Sequence, residues 1–109
     1  MNFINHENKS IYIKIECEEN GKIIGRAYLY LINNDLHNQP YALLEDMFVE
    51  VEARGRGIGK ELMDKIIEEA KKNNCYKLVA QSRYSRTEAH SFYLRNGFKD
   101  HGKNFRIDI

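Results

Sequence analysis

The first third of the chain alternates apolar with polar residues, which is the pattern of half-buried β-strands. Ile11, Ile13 and Ile15 stand at every second position of residues 11–17, which predicts a first strand. Asn20-Gly21 follows, and this dipeptide favours a tight hairpin because both residues tolerate positive φ. A second strand is therefore expected over about residues 23–32.

A third, more apolar strand is expected over residues 41–51, interrupted by the charged pair Glu45-Asp46. The period of the pattern then changes from that of a strand to that of a helix. Between Ile58 and Ala70 the apolar residues fall on one helical stripe, and Asn73-Asn74 ends the predicted helix.

The last third predicts three more elements. Residues 76–82 read as a fourth strand. Ser85 and Glu88 fit a capping box, which makes Ser85 the N-cap of a short helix that ends at Asn96-Gly97. A final strand is expected from Phe98 onward, because apolar and charged residues alternate over residues 105–109. The order β-β-β-α-β-α-β predicts one α/β domain over residues 1–109 with a mixed sheet.

Composition mainly excludes classes of function. The chain has 109 residues, 42% of them hydrophobic, and a formal net charge of +1, which fits one small core and offers no basic excess for nucleic acid. No apolar run approaches the ~20 residues of a membrane span, and no signal-peptide pattern opens the chain. Cys17 and Cys75 are an isolated pair, so we expect reduced thiols and a cytoplasmic protein. The histidines show no ligand spacing with them, so no metal is expected.

Three glycines stand at alternate positions just before the long helix, in "EARGRGIGKEL" from Glu52 to Leu62. Glycine weakens a helix start by up to ~1 kcal/mol, so this cost calls for a reason. A helix N-terminus presents unpaired N–H groups and partial positive charge, to which Arg54, Arg56 and Lys60 would add. The segment therefore predicts a phosphate site, with an ordinary structural turn as the alternative.

The spacing of the glycines separates three phosphate-binding motifs. A P-loop fails because three residues, not four, separate Gly55 from Gly59-Lys60, and Glu61 follows in place of Ser or Thr. The dinucleotide fingerprint also fails, since the segment reads G-x-G-x-G. The pattern Arg-x-x-Gly-x-Gly is met at Arg54, Gly57 and Gly59, and it resembles the acyl-CoA pyrophosphate loop of the GNAT superfamily of N-acetyltransferases.

A second segment supports the resemblance. "LLEDMFVEVEARGRGIGKELM" resembles the central strand, loop and helix of that superfamily, and "EAHSFYLRNGF" resembles its second conserved segment. The similarity covers roughly residues 41–98. It implies a mixed, mostly antiparallel sheet flanked by helices. Members of the superfamily usually have two helices between their first two strands. Here ten residues precede the first clear strand, which passes straight into the Asn-Gly hairpin, so these two helices are expected to be lacking.

The resemblance implies an acetyl-CoA site along the third strand and the glycine segment. The pantetheine arm would pair with backbone groups of the strand, and the pyrophosphate would lie on the segment. The residues concerned are Met47, Phe48, Val49, Arg54, Gly55, Arg56, Gly57, Ile58, Gly59 and Lys60. Arg86 stands where many relatives carry asparagine, and it either binds a phosphate or carbonyl of the cofactor or caps a helix.

The resemblance also implies catalytic roles. Tyr93 matches the tyrosine that donates a proton to the departing thiolate, although a core aromatic is the alternative. The stretch around Glu45 resembles diamine and polyamine acetyltransferases, in which the matching glutamate takes the amine proton directly or through water. An exposed charge or an ion pair with arginine is the alternative for Glu45. Asp46 is expected to contact the acceptor, and strand alternation puts the two carboxylates on opposite faces unless a bulge intervenes.

The sequence thus predicts an N-acetyltransferase that moves an acetyl group from acetyl-CoA to a primary amine by direct attack. The carboxylates favour a small cationic acceptor. A protein N-terminus or lysine as acceptor, and a non-catalytic acyl-CoA-binding domain, are the alternatives. Neither nucleic acid nor a membrane is an expected partner, while exposed strand edges are compatible with a homodimer.

Overall fold

Four strands form one sheet in the order β1-β2-β3-β4, with two helices beside it. A computed structural model describes all residues 1–109. The strands are β1 (Ile11–Glu19), β2 (Lys22–Ile32), β3 (Tyr41–Val49) and β4 (Leu78–Ala80), and the helices are α1 (Ile58–Lys72) and α2 (Thr87–Arg95). β1, β2 and β3 are antiparallel neighbours, and β4 runs parallel to β3. The predicted mixed, mostly antiparallel sheet is confirmed.

The hairpin between β1 and β2 turns at Asn20 and Gly21, with φ angles of 52° and 78°. This confirms the hairpin prediction, because the dipeptide adopts the left-handed backbone that a tight hairpin requires. α1 ends as predicted at Asn73, whose side-chain amide donates to the Glu69 carbonyl at 2.8 Å.

One face of the sheet packs against α1. The buried core draws on both layers: Ala27, Leu29, Leu31, Ala42, Leu44, Leu62, Met63, Ile66 and Ala70. Phe92 and Tyr93 of α2 pack against the same core. The opposite sheet face carries neither helix in this chain, and it displays tyrosines such as Tyr12, Tyr28 and Tyr30. Neither α1 nor α2 has the length and apolar character that a membrane-spanning helix requires.

The strand predicted from Phe98 onward is wrong. Residues 98–109 form no regular secondary structure, and the apolar side chains of Phe105, Ile107 and Ile109 are exposed. Alternation supplies an apolar face, but a strand also needs a neighbouring edge to bond with, and here the segment pairs with none.

The capping box at Ser85 is also wrong. α2 begins at Thr87 with Arg86 as its N-cap, and no side chain caps it. The turn before it is held instead by the Arg83 carbonyl, which accepts from the Arg86 amide at 3.1 Å and lies 2.7 Å from His90 Nε2.

Two predicted strands are too long. β3 ends at Val49, because the chain then enters a 3₁₀ turn over Val51–Ala53. β4 is limited to three residues, Leu78–Ala80, since only Ala42, Leu43 and Leu44 of β3 pair with it.

Candidate active site

A β-bulge in β3 separates the two carboxylates that the sequence singled out. Arg26 pairs with Phe48 and Tyr28 with Glu45, so Ala27 alone faces both Asp46 and Met47. Asp46 is exposed and has a φ of 49°, while Glu45 is half-buried. The bulge returns Met47 to the face that packs on the core, although plain alternation would have put Asp46 there.

β3 and β4 separate just before the bulge. Their parallel pairing ends at Leu44 and Ala80, whereas β3 continues to Val49. The edge of residues 45–49 that faces away from β2 therefore has no strand partner. Free backbone groups on such an edge can bond to amides of an extended ligand, as an added strand would. Met47, Phe48 and Val49, the residues predicted to hold the pantetheine arm, all lie on this edge.

The glycine loop, residues 54–60, turns the chain into α1, and its amides from residue 55 onward are unpaired. Gly55 and Gly57 both have φ of 81°, and Gly57 is the N-cap of α1 with no side-chain cap. The first helical bond runs from the Glu61 amide to the Gly57 carbonyl at 3.1 Å, and no amide of residues 55–60 donates within the protein. This row of free donors at a helix N-terminus is suited to an anion.

The three cations of the loop already have partners within the protein. Arg54 Nε donates to the Val49 carbonyl at 2.8 Å, and its guanidinium lies 5.3 Å from the centre of the Phe48 ring. Arg56 forms an ion pair with Glu19, and Lys60 with Asp64. Both ion pairs are exposed, so each contributes little and can be exchanged for a stronger anion.

Two residues of the loop have structural contacts besides their predicted role. Ile58 is buried in a small cluster with Ile24 and Ala53, so its side chain belongs to the core although its amide is free. A Cβ on Gly59 would lie 3.7 Å from the Phe92 ring of α2. Gly59 therefore faces α2, whereas a Cβ on Gly57 would enter open space.

Tyr93 lies among aromatic side chains that pack against the core. Its ring centre is 5.9 Å from that of Phe92 and 5.3 Å from that of Phe98. Burial raises the pKa of Tyr93 above its ordinary value, the Arg86 guanidinium opposes this shift, and the Glu45 carboxylate adds to it. The phenol is therefore protonated at neutral pH, as a proton donor must be.

The charges that act on the pKa of Tyr93 in α2 thus belong to two other predicted residues, Glu45 of β3 and Arg86, the N-cap of α2. The Glu45 side chain forms no ion pair and no hydrogen bond. The alternative of an ion pair with arginine is thus not met, and a half-buried carboxylate remains free to accept a proton. The predicted binding and catalytic roles of these residues stay predictions.

Sequence reasoning missed Glu19 and Phe92. Glu19 lies 37 positions before the arginine it binds, so no local pattern could have found it. Phe92 lies within the segment that resembles the superfamily's second motif, but its contact with Gly59 depends on how the two helices cross.

A concavity of about 990 Å³ lies elsewhere, between β4, α2 and residues 96–104. Tyr93 lines it, but no residue of the glycine loop does. No group of three or more His, Cys, Asp or Glu side chains is arranged to hold a metal ion.

Comparison of the sequence with known proteins identifies one family. Residues 2–98 match the sequence model of the acetyltransferase (GNAT) family. An uncharacterized N-acetyltransferase of Bacillus subtilis (strain 168) is 30% identical over 96 residues, which cover 88% of this chain and 62% of that protein. A glucosamine 6-phosphate N-acetyltransferase of Trypanosoma brucei brucei is 29% identical over 101 residues, which cover 91% of this chain and 67% of that protein.

The fold is matched as well. The crystal structure of a Trypanosoma brucei acetyltransferase superposes with a TM-score of 0.80 at 27% identity, covering 90% of this chain and 69% of that one. The chain thus spans between 62% and 67% of the length of the two curated relatives named above.

Proposed function

Because the chain belongs to the GNAT acetyltransferase family, we propose that it transfers the acetyl group of acetyl-CoA to a primary amine by direct attack. One observation carries the proposal. The unpaired carboxylate of Glu45 stands where β3 continues without β4, its charge acts on the pKa of the Tyr93 phenol, and the amides of residues 55–60 have no partner within the protein. An acid, a base and an anion site are the groups that this transfer needs.

The two side chains have opposite tasks. Glu45 takes a proton from the acceptor ammonium, directly or through a water molecule, and releases it to solvent. The neutral amine then forms the new C–N bond while the C–S bond of the thioester breaks. Tyr93 gives its proton to the departing thiolate and regains one from the acylated nitrogen. The products are the amide and free CoA, so atoms and charge balance.

The backbone supplies the cofactor's contacts in this proposal. The amides of residues 55–60 receive the pyrophosphate, and the free edge of Met47, Phe48 and Val49 receives the amides of the pantetheine arm. Arg86, whose charge already acts on Tyr93, takes a carbonyl or phosphate of the cofactor.

The favoured acceptor is a small cationic amine. Glu45 is unpaired, and Asp46 is exposed beside it, so two carboxylates attract a cation to the place where the amine must lose its proton. A relative is named for glucosamine 6-phosphate, which is also a small primary amine. A protein N-terminus or lysine is the alternative acceptor.

Calorimetric titration with acetyl-CoA tests the first half of the proposal, with dephosphorylated pantetheine as the control. Binding that depends on the phosphates supports the glycine loop as the site, and no binding overturns the proposal. Release of free thiol is then measured with a diamine, a polyamine, glucosamine 6-phosphate and a lysine peptide. Cofactor binding without turnover of any amine would favour a non-catalytic acyl-CoA-binding domain.

Two further expectations stay predictions. A homodimer is proposed because the outer edge of β4 and the uncovered sheet face both lack a partner in this chain. Light scattering that gives the mass of a single chain of 12.9 kDa would overturn it. A cytoplasmic location is proposed because Cys17 and Cys75 are both free thiols, which stay reduced in that compartment.

A further inference from the structure

The concavity between β4, α2 and residues 96–104 is strongly basic. Its volume is about 990 Å³, and the proposed acetyl transfer uses none of its lining residues except Tyr93. The charged residues of its lining, histidines apart, are five cations and one acid: Lys71, Lys77, Arg83, Lys99, Lys103 and Asp100. The whole chain holds 17 basic and 16 acidic residues, so the excess of positive charge is local to this concavity.

The five cations have no anionic partner within the protein. All five residues are exposed, and none of them takes part in an ion pair. Lys77 is held instead by aromatic rings, with its Nζ 4.8 Å from the centre of the Tyr41 ring and 5.3 Å from that of Tyr76. Like charges around a concave surface raise the local concentration of anions. The concavity is therefore suited to an anionic occupant.

The unpaired edge of β4 borders the same concavity. All three residues of the strand, Leu78–Ala80, line it, and β4 is the last strand of the sheet, so only β3 bonds to it. Ile67 and Phe98 add apolar lining, and both are half-buried against the core. A free strand edge bonds to the backbone of an extended peptide, while alternate side chains of that peptide contact the surface beside the edge.

We propose that this concavity binds an extended acidic segment of a partner protein as a fifth strand beside β4. The backbone of the segment bonds to the free edge. Every second side chain is apolar and contacts the apolar lining, and the acidic side chains between them meet the five cations. The proposed acetyl transfer neither requires this site nor depends on it.

The strand edge favours a peptide over a nucleic acid, because a sugar-phosphate backbone matches the charge but cannot continue a sheet. A second copy of the chain fits less well. A two-fold contact through this edge would bring the same five cations of both copies together. The alternating segment 105–109 of a second copy carries Arg106 and Asp108, which pair with each other, so it brings no acidic excess. The proposed homodimer would then use the uncovered sheet face.

Fluorescence anisotropy with a labelled peptide of alternating glutamate and valine tests the proposal, in the absence of acetyl-CoA. We expect binding that weakens at high salt. A peptide of alternating glutamine and valine keeps the pattern without the charge. A glutamate-valine peptide with N-methylated amides keeps the charge without the backbone donors. We expect each control peptide to bind about 5-fold more weakly or worse, since each lacks one of the two kinds of contact.

Lys71→Gln and Lys72→Gln are the matched variants, because the two lysines are consecutive in the last turn of α1 and only Lys71 lines the concavity. We expect Lys71→Gln to raise the Kd of the glutamate-valine peptide by about 2- to 5-fold at low salt, and Lys72→Gln to leave it nearly unchanged. The amide signals of Leu78, Val79 and Ala80 are expected to shift in NMR spectra when the peptide is added.

Three results would overturn the proposal. Equal binding of the glutamine-valine peptide would show that the charge is not read. Equal binding of the N-methylated peptide or of a short oligothymidylate would make the concavity a site for polyanions without strand pairing. No binding of the glutamate-valine peptide would exclude the acidic segment, and a dimer in light scattering would then assign the edge to a second copy. Acetyl-CoA is absent from every measurement, so none of these results bears on the proposed transfer.

Discussion

Arg56 of the glycine loop binds the carboxylate of Glu19, the last residue of β1, through both of its terminal guanidinium nitrogens. This pair ties the loop to the end of the β1–β2 hairpin. The guanidinium in turn holds the pKa of Glu19 below its ordinary value, through a hydrogen bond and through its charge. Glu19 therefore competes with any phosphate for this cation.

Replacing Glu19 is expected to strengthen cofactor binding. Glu19→Gln removes the competing charge while keeping the side chain's size, so the Kd for acetyl-CoA falls by about 2- to 5-fold at low salt and less at high salt. Calorimetry at two salt concentrations measures the effect. Glu18→Gln, which removes a neighbouring carboxylate that makes no ion pair, is the control, and an unchanged Kd in Glu19→Gln would show that Arg56 does not meet the phosphates.

A side chain at Gly57 is expected to weaken cofactor binding. Its φ of 81° strains any other residue, and a Cβ there would enter the open space in front of the free amides. Gly57→Val raises the Kd for acetyl-CoA by about 10-fold or more, because bonds between amides and a charged phosphate are lost.

Strain and obstruction are separated by a matched variant. Gly97 has a φ of 92° just after α2, with equally open space around it. Gly97→Val carries the same kind of backbone strain outside the loop, so it lowers the melting temperature but leaves the Kd unchanged. Equal loss of binding in both variants would indicate destabilisation alone.

Gly59→Ala is expected to stabilise the protein. Gly59 lies inside α1 and its Cβ would make an ordinary contact of 3.7 Å with Phe92, so the variant gains up to ~1 kcal/mol of helix propensity without a clash. Thermal unfolding measures the gain. The Kd for acetyl-CoA stays within about 3-fold, since the added methyl faces α2 and the amide remains free. A lower melting temperature would mean that the helices need a closer approach than this contact implies.

Tyr93→Phe tests the proton donor. The ring and its packing against Phe92 and Phe98 are kept, so the Kd for acetyl-CoA is unchanged, but kcat falls by ~10²-fold or more. Tyr84→Phe, at an exposed tyrosine in the turn before α2, is the control. An unchanged kcat in Tyr93→Phe removes this residue from the mechanism.

The pH dependence of kcat follows from the sign of the Tyr93 shift. Burial raises its pKa, so the donor is protonated below the ordinary tyrosine pKa of about 10 and is lost only as the pH rises through the raised value. We expect no Tyr93-dependent loss of kcat up to about pH 9 with saturating amine. A loss below that pH that Tyr93→Phe abolishes would contradict the shift.

Glu45→Gln and Asp46→Asn distinguish the residue that takes the proton of the amine from the residue that only attracts the cationic acceptor. Both replacements are nearly isosteric, and asparagine tolerates the positive φ of Asp46. Glu45→Gln lowers kcat by ~10²-fold or more, while Asp46→Asn raises KM for a cationic amine and leaves kcat nearly unchanged. Rates at saturating acetyl-CoA give both constants. The reverse pattern would make Asp46 the base.

Local pattern was sufficient for the hairpin, for α1 and for the two motifs, because each depends on residues close in sequence. It failed at Ser85, where a turn held by the Arg83 carbonyl moved the start of α2. It failed again after Phe98, because alternation does not specify which edge a strand joins. The Arg56–Glu19 pair and the Gly59–Phe92 contact depend on how distant elements meet, so they required the structure.

The bulge at Asp46 acts as a shift of phase within β3. Before the bulge, Leu44 faces the core and Glu45 faces the opposite side of the sheet. After the bulge, Met47 again faces the core, so the alternation continues as if Asp46 were not there. One inserted residue thus lets a single strand serve the packing of the domain and the chemistry at its edge. Removing Asp46 would keep every apolar residue of β3 on its present face, so the chain could lose its site and still fold.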